Sequence, residues 1–429
     1  MAVSVNFASL TKKIKFTDMA TILPFKALRP TVELAAKVAS RPYDVLNSKE
    51  AKIEAGANTS SFLHITKAEI DLPDNIDIHS QQVYDKAKAN LNAFIQQGIL
   101  FREEKPCYYI YQLVMKGRSQ TGLVCASSVP DYEKGIIKKH EFTRPEKELD
   151  RINHIKTTGA QTGNVFLAYR NVAAIDALIE LWKKSHAPAY DFIADDGVSH
   201  TVWTINDEAV INSLTTLFAT KVPHTYIADG HHRAASAAKV KKALGKKATE
   251  AANYFLTTLF PADQLHILDY NRLVKDFDGQ DAETLISYLH DDFDVTLMGK
   301  EAYKPERLHE FGMYLNHKWY KLNARKDSYS NDPIGVLDVT ILSNNVLSKI
   351  LGIKDQRTDK RIDFVGGIRG LGELEKRVDS GEMVVAFSLY PVSIKQLFDI
   401  ADSGDVMPPK STWFEPKLRD GLLTHLIYE

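Results

Sequence analysis

The tightest constraint on this chain is an abrupt change of hydrophobic period between Thr225 and Gly245. Thr225-Tyr226-Ile227-Ala228 reads as a short buried strand, Asp229-Gly230 as a turn, and Arg233 to Leu244 as an Ala- and Lys-rich helix stopped by Gly245. A helix that starts straight out of a strand presents free N–H groups and a partial positive charge, and a glycine just before it lets a ligand approach the backbone closely. An anion, phosphate above all, is the natural occupant. His231 and His232 add directional donors, Arg233 can bind two oxygens at once, and Asp229 can hold Mg²⁺ or orient a histidine. The competing reading is structural, with Asp229 capping the helix and the histidines in ordinary hydrogen bonds. Two adjacent histidines point in different directions, so a zinc site made by this pair alone is not expected.

Around this feature the composition is that of a folded protein: of 429 residues, 44% are hydrophobic and 25% charged, enough for a sizeable core and two or three domains. Lys plus Arg number 54 and Asp plus Glu 55, a net charge of −1, so no global excess draws the molecule to nucleic acid or an anionic membrane. Cys107 and Cys125 are too few for a disulfide framework or a four-thiolate zinc site, which suits a reducing compartment. Met1 to Thr21 lacks a signal-type apolar region, and no run approaches the ~20 apolar residues that span a bilayer. The expected location is cytoplasmic, with no membrane partner.

Element types alternate along the chain without repeats or heptads. Helices are predicted for Thr31 to Ser40, Gln81 to Gln97, Glu146 to Thr158, Val172 to Ser185 and Ser393 to Ser403; strands for Gly163 to Tyr169, Thr201 to Ile205, Asn253 to Phe260 and Met383 to Leu389; and a hairpin for Cys107 to Met115 with Gly122 to Ser127. The segment from Asp276 up to Trp319 reads as helix-rich, leading on through Ile334 to Leu351 and a turn at Asp363 to Gly370, and Met407 to Pro416 reads as irregular. The class is mixed α/β (α+β), divided into an N-terminal α+β region 1–130, a core 131–275 carrying the phosphate turn, and a C-terminal α+β region 276–429.

Tyr226-Ile227-Ala228-Asp229-Gly230-His231-His232-Arg233, together with Arg41-Pro42-Tyr43-Asp44-Val45, Ser61-Phe62-Leu63-His64, His140-Glu141-Phe142-Thr143 and Met407-Pro408-Pro409-Lys410-Ser411-Thr412, resembles domain of unknown function family 1015 nearly end to end. That family is similar to the superfamily of ParB, sulfiredoxin and the free serine kinases, which implies a small α/β core built round the turn. Sulfiredoxins carry a working thiol where this chain has His231, so sulfinic-acid repair is disfavoured. ParB-type proteins carry a Gly-Glu-Arg-Arg box and a helix-turn-helix that are not recognisable here. The free serine kinases resemble the chain at the turn and at an upstream His-Glu motif, matched by His140-Glu141, which makes Glu141 the candidate base.

The resemblance thus implies a phosphotransferase acting on a small hydroxyl substrate such as free L-serine, with ATP, ADP or pyrophosphate as donor and Mg²⁺ as metal at Asp229. Glu141, Asp229 and His232 would be catalytic, and Gly230, His231, His232 and Arg233 would hold the donor. The alternative is a nucleotide-binding regulatory or DNA-associated module without turnover; nucleic acid is not the expected partner, and a homodimer is left open. Arg41, Tyr43 and Asp44 place a cation, a ring and a carboxylate on one loop, which suits an amino acid or, equally, a proline turn with an internal Arg–Asp pair. Lys410, Ser411 and Thr412 suit either a loop closing over phosphate or a docking segment anchored by Trp413 and Phe414.

Overall fold

The computed structural model describes residues 19–428; most of the Met1 to Thr21 stretch read above lies outside them. The centre is a nine-stranded mixed sheet. Its strands are β1 (Tyr108–Met115), β2 (Arg118–Ser128), β3 (Ile137–Lys138), β4 (Val165–Tyr169), β5 (Tyr190–Ile193), β6 (Ser199–Ile205), β7 (Thr225–Asp229) and β8 (Tyr254–Pro261), in the order β3-β7-β4-β8-β2-β1-β6-β5, with Ile22–Leu23 pairing alongside β2. β7 runs parallel to β3 and antiparallel to β4, while β4 runs parallel to β8. The expected hairpin is β1–β2. The sheet runs across the predicted boundary at 130, since β2 pairs with β8, so the N-terminal region and the core share one sheet.

Because successive side chains in a strand point to opposite faces, β1 feeds two cores at once. Tyr108 and Ile110 face one with Leu123, Ile179, Leu214 and Phe218, roofed by α3 (Ala173–Ser185) and α4 (Glu208–Lys221). Tyr109 and Tyr111 face the other with Val124, Phe166 and Tyr226, closed by C-terminal residues including Phe398, Phe414 and Leu422. Three more helices bear on the site: α1 (Gln81–Gln96), α2 (Pro145–Thr158), which α1 packs against, and α5 (His231–Leu244), which lies against α2 on its other side. Ala234, Ala235, Ala237 and Ala238 of α5 are buried, and their small side chains allow that close approach.

Between Asp276 and Trp319 the structure differs from the helix-rich reading, with one helix, Ala282–Leu289, followed by strands, while the strand expected at Met383 to Leu389 is present. Five of the strands beyond Asp276 join β9 (Tyr270–Val274) in a six-stranded sheet: β10 (Phe293–Gly299), β11 (Glu310–Leu315), β12 (Lys318–Ala324), β13 (Ile362–Gly366) and β14 (Val385–Leu389), ordered β10-β12-β11-β14-β9-β13. β11 is buried on both faces and so lacks polar alternation. Its turn to β12 uses Asn316 and His317 at φ 48° and 58°, the two positive dihedrals of a tight hairpin, in residues less recognisable than Asn-Gly. Tyr226 of the central sheet stacks on Phe398 at 3.9 Å and its hydroxyl donates to Asp402, tying this C-terminal unit onto the central sheet. Among the described residues no helix is long and apolar enough to cross a membrane.

Candidate active site

The strand–turn–helix read from the sequence is present, with the helix starting two residues earlier, at His231. Gly230 is its N-cap at φ 94°, a conformation open to glycine and costly for other residues. No side chain caps this end, so Asp229 does not serve as the cap and the first N–H groups remain available. Just before the turn the pairing of β7 with β4 slips between Ile227 and Asp229, a bulge that re-aims Asp229. On the other side, β3 pairs Ile137 and Lys138 with Thr225 and Tyr226, and that register carries His140 and Glu141 to the end of the same strand.

Around this point lies a cleft of about 850 Å³ lined by residues from well-separated stretches: Tyr43 and Asp44; Glu141 and Lys147; Asp229 to His232; Tyr270; and Lys410, Thr412, Trp413 and Lys417. Nine residues proposed from sequence thus converge with others that it did not single out, namely Lys147, Tyr270 and Lys417. Lys147 looked like any exposed helix lysine, and Lys417 reaches the turn only because the C-terminal segment folds back.

Three proposed residues sit elsewhere. The Arg41 guanidinium pairs with Glu54 at 2.5 Å on a different groove, so the expected Arg41–Asp44 pair is absent. Ser411 is buried and donates to the Pro408 carbonyl at 2.6 Å, which makes it a brace of its own loop. Arg233 is buried beneath the turn, donating to the Asn164 carbonyl and, at 3.2 Å, to Asp44, with Asp229 at 3.7 Å. It does not line the cleft; it follows Gly230 by three residues on the helix and therefore points back under the turn. Its effect is to lock Asp44 and Asp229 in place.

The electrostatics are sharply divided. Burial would raise the Asp229 carboxyl, but Lys417 at 3.1 Å and Arg233 hold it well below the usual carboxylate range. Burial pushes Glu141 the other way, above its ordinary value, opposed by Lys410 and reinforced by Asp229. Two carboxylates in one cleft with opposite proton affinities is the pattern of an acid/base site. His140 and His232 are each lowered to about 4, chiefly by burial, and His231 falls further through burial and the neighbouring His140. The rings are therefore neutral at pH 7. His232 Nε2 accepts from the Arg144 N–H at 2.9 Å, which leaves the ring proton on Nδ1.

The loop over the cleft is held by a buried arginine: Arg272, on β9, donates to the carbonyls of Tyr270 and Pro409, and the Met407 N–H donates to the His140 carbonyl at 2.8 Å. Lys410 stands at φ 59°, in the left-handed region, so the fold holds it there at a cost. Its ammonium lies 5.7 Å over the Tyr270 ring, and neither it nor that of Lys147 is in an ion pair among the described residues. Tyr270 and Trp413 meet edge to face at 5.0 Å and form an aromatic wall beside these cations.

Over residues 22–340 the chain matches the family model described as a protein of unknown function, DUF1015, and it belongs to that family. A comparison with curated proteins gave no match. Among solved structures, it is similar to a conserved hypothetical protein from Pyrococcus furiosus at 15% identity, covering 71% of this chain and 95% of that one with a TM-score of 0.37. A free serine kinase in complex with AMP is similar at 12% identity over 72% of this chain and 92% of that one, TM-score 0.38. SbnI with a C-terminal truncation, from Staphylococcus aureus, is similar at 14% identity over 71% and 87%, TM-score 0.33.

Proposed function

We propose that this protein is a phosphotransferase that moves a phosphoryl group from a nucleotide, ATP or ADP, or from pyrophosphate, to the hydroxyl of a small substrate of the L-serine class. The observation that carries the reading is the convergence of a raised-affinity carboxylate, Glu141, with a glycine-capped helix start and two lysines outside ion pairs, Lys147 and Lys410, in one cleft. Phosphoryl transfer asks a protein mainly for position and for charge around the transferring group.

In this reading the N–H groups opening α5, the His232 ring, Lys147 and Lys410 bind the donor phosphates, and Tyr270 with Trp413 faces the base of a nucleotide. Asp44 and Tyr43 receive the amino group of the acceptor, while Thr412 lies on the covering loop. The acceptor oxygen forms its bond to the terminal phosphorus as the bond from phosphorus to the donor oxygen breaks, and the hydroxyl proton passes to Glu141. Mg²⁺ needs one or two carboxylates and arrives with phosphates and waters, so an oxygen of Asp229 fits it; when bound it would neutralise charge on the donor phosphates.

The test is the purified chain with L-serine, Mg²⁺ and each donor in turn, followed by mass spectrometry for O-phosphoserine. Turnover is expected with at least one donor, and Glu141→Gln is expected to cut it by roughly 10²–10⁴ while ADP binding stays within a few-fold. Wild-type turnover in Glu141→Gln removes the base assignment; nucleotide binding without product from any acceptor hydroxyl favours a regulatory module instead.

A further inference from the structure

His140, Glu141 and His231 each place one ligand atom within 4.8 Å of the others, at the inner end of the cleft. Both histidines are buried, at 1% and 6% exposure, and their rings meet edge to face at 4.5 Å between centroids. Two features separate this trio from a chance cluster of polar groups. His140 Nδ1 is buried with no well-formed hydrogen bond among the described residues, the Ile227 carbonyl standing near the ring, and its Nε2 has the Thr412 hydroxyl at 3.5 Å. A buried imidazole nitrogen left unsatisfied is costly unless something else occupies it. The positions are also fixed by backbone: parallel pairing of β3 with β7 sets His140 beside the turn, the Met407 N–H clamps its carbonyl, and His231 opens α5 directly after Gly230.

We propose that these three side chains bind one divalent first-row transition-metal ion, as a two-histidine, one-carboxylate set with open positions facing the cleft. Imidazole nitrogens select such ions over Mg²⁺, which prefers oxygen donors and keeps its waters. Metal–ligand bonds of about 2.0–2.2 Å put neighbouring donors about 3–4 Å apart, so binding draws this trio in by roughly an ångström. Asp229 adds negative charge next to all three residues. A carboxylate has two oxygens, so Glu141 can give one to the ion and keep the other for a proton. The ion's open positions then face the space assigned above to a phosphate or hydroxyl oxygen, where a Lewis acid would act. The site itself does not depend on the phosphotransferase reading.

The test uses the full chain, stripped with chelator and free of nucleotide and serine. Zn²⁺ titrated by calorimetry is expected to bind at one equivalent, Co²⁺ to give the visible absorption of a nitrogen- and oxygen-ligated ion, and millimolar Mg²⁺ to leave both unchanged. His231→Ala and Glu141→Gln are each expected to weaken Zn²⁺ by about 100-fold or more. Because a buried histidine variant can misfold, each is checked by circular dichroism, and crystals of the unaltered chain soaked in Zn²⁺ locate the ion by anomalous scattering. Absence of stoichiometric binding, binding unchanged in folded variants, or an anomalous peak away from the trio overturns the proposal. Stoichiometric binding without O-phosphoserine formation would leave the metal site standing and count against the kinase reading alone.

Discussion

Replacing Gly230 with alanine perturbs the turn in two separable ways. At φ 94° an L-residue is strained by about 1–2 kcal/mol. The added methyl would also sit 3.2 Å from Arg233 Nε and 3.3 Å from its Cζ, tighter than ordinary contact, with the Val165 Cα at 3.4 Å on its other side. Val165 belongs to the central sheet and cannot retreat, so the guanidinium must move by a few tenths of an ångström against its bonds to Asn164 and Asp44. Hydrogen bonds to charged groups are worth about 1.5–3 kcal/mol, and weakening rather than losing them brings the total cost to roughly 2–4 kcal/mol. In a chain of this size that is a fall in Tm of several degrees, read by thermal melting at fixed protein concentration. Gly230→Asn is the control: asparagine tolerates the left-handed region better, so it should recover part of the backbone strain but none of the contact. Calorimetry with ADP should show a larger loss of affinity than either melting shift implies, because the amides at the helix start move with the turn. An alanine variant that melts and binds ADP like the unaltered protein would refute the argument that this glycine sets the site.

Lys410→Gly removes a cation while relieving a left-handed residue, so it is expected to be as stable as the unaltered chain or slightly more so, yet to bind ADP about tenfold or more weakly; equal affinity would show that Lys410 faces no phosphate. Lys417→Met strips Asp229 of its nearest cation. The Asp229 carboxyl is depressed in the folded state, so it contributes stability that is lost as pH falls through the folded value. Without Lys417 that value rises, and acid unfolding followed by circular dichroism should begin at higher pH. Asp338 behaves oppositely: burial pushes its carboxyl up to about 7, with one oxygen accepting from the His309 N–H at 2.8 Å and the other unpartnered. The folded state then holds the proton more tightly than the unfolded one, so stability is full below about pH 4 and declines as pH rises to 7. The ceiling on that decline is about 4 kcal/mol, and Asp338→Asn, which leaves an unsatisfied amide costing about 1–3 kcal/mol, should gain a net of roughly 1–3 kcal/mol at pH 8 and lose roughly 1–3 kcal/mol at pH 4. Urea midpoints at the two pH values decide it.

The parts of the molecule legible in one dimension are those decided by local forces. The aromatic and β-branched richness of Cys107 to Met115 and the Asp-Gly turn before an alanine-rich run announce themselves through composition and glycine conformation. Periodicity failed where a strand is buried on both faces, as at Glu310–Leu315, because alternation comes from having one wet face. The site divides along the same line. The sequence by itself determined the strand, the turn and the helix after it, and singled out Glu141, Asp44 and Lys410 as candidates. Only the tertiary structure decided which of them meet. Parallel pairing of Ile137–Lys138 with Thr225–Tyr226 delivers His140 and Glu141 to the turn, while a C-terminal segment pinned by Arg272 brings Lys410 and Lys417 from nearly two hundred residues away. The same packing directs Arg41 outward to Glu54 and Arg233 inward beneath Gly230. Side-chain chemistry travels with the residue, but its direction is set by register and docking, which depend on partners remote in the chain.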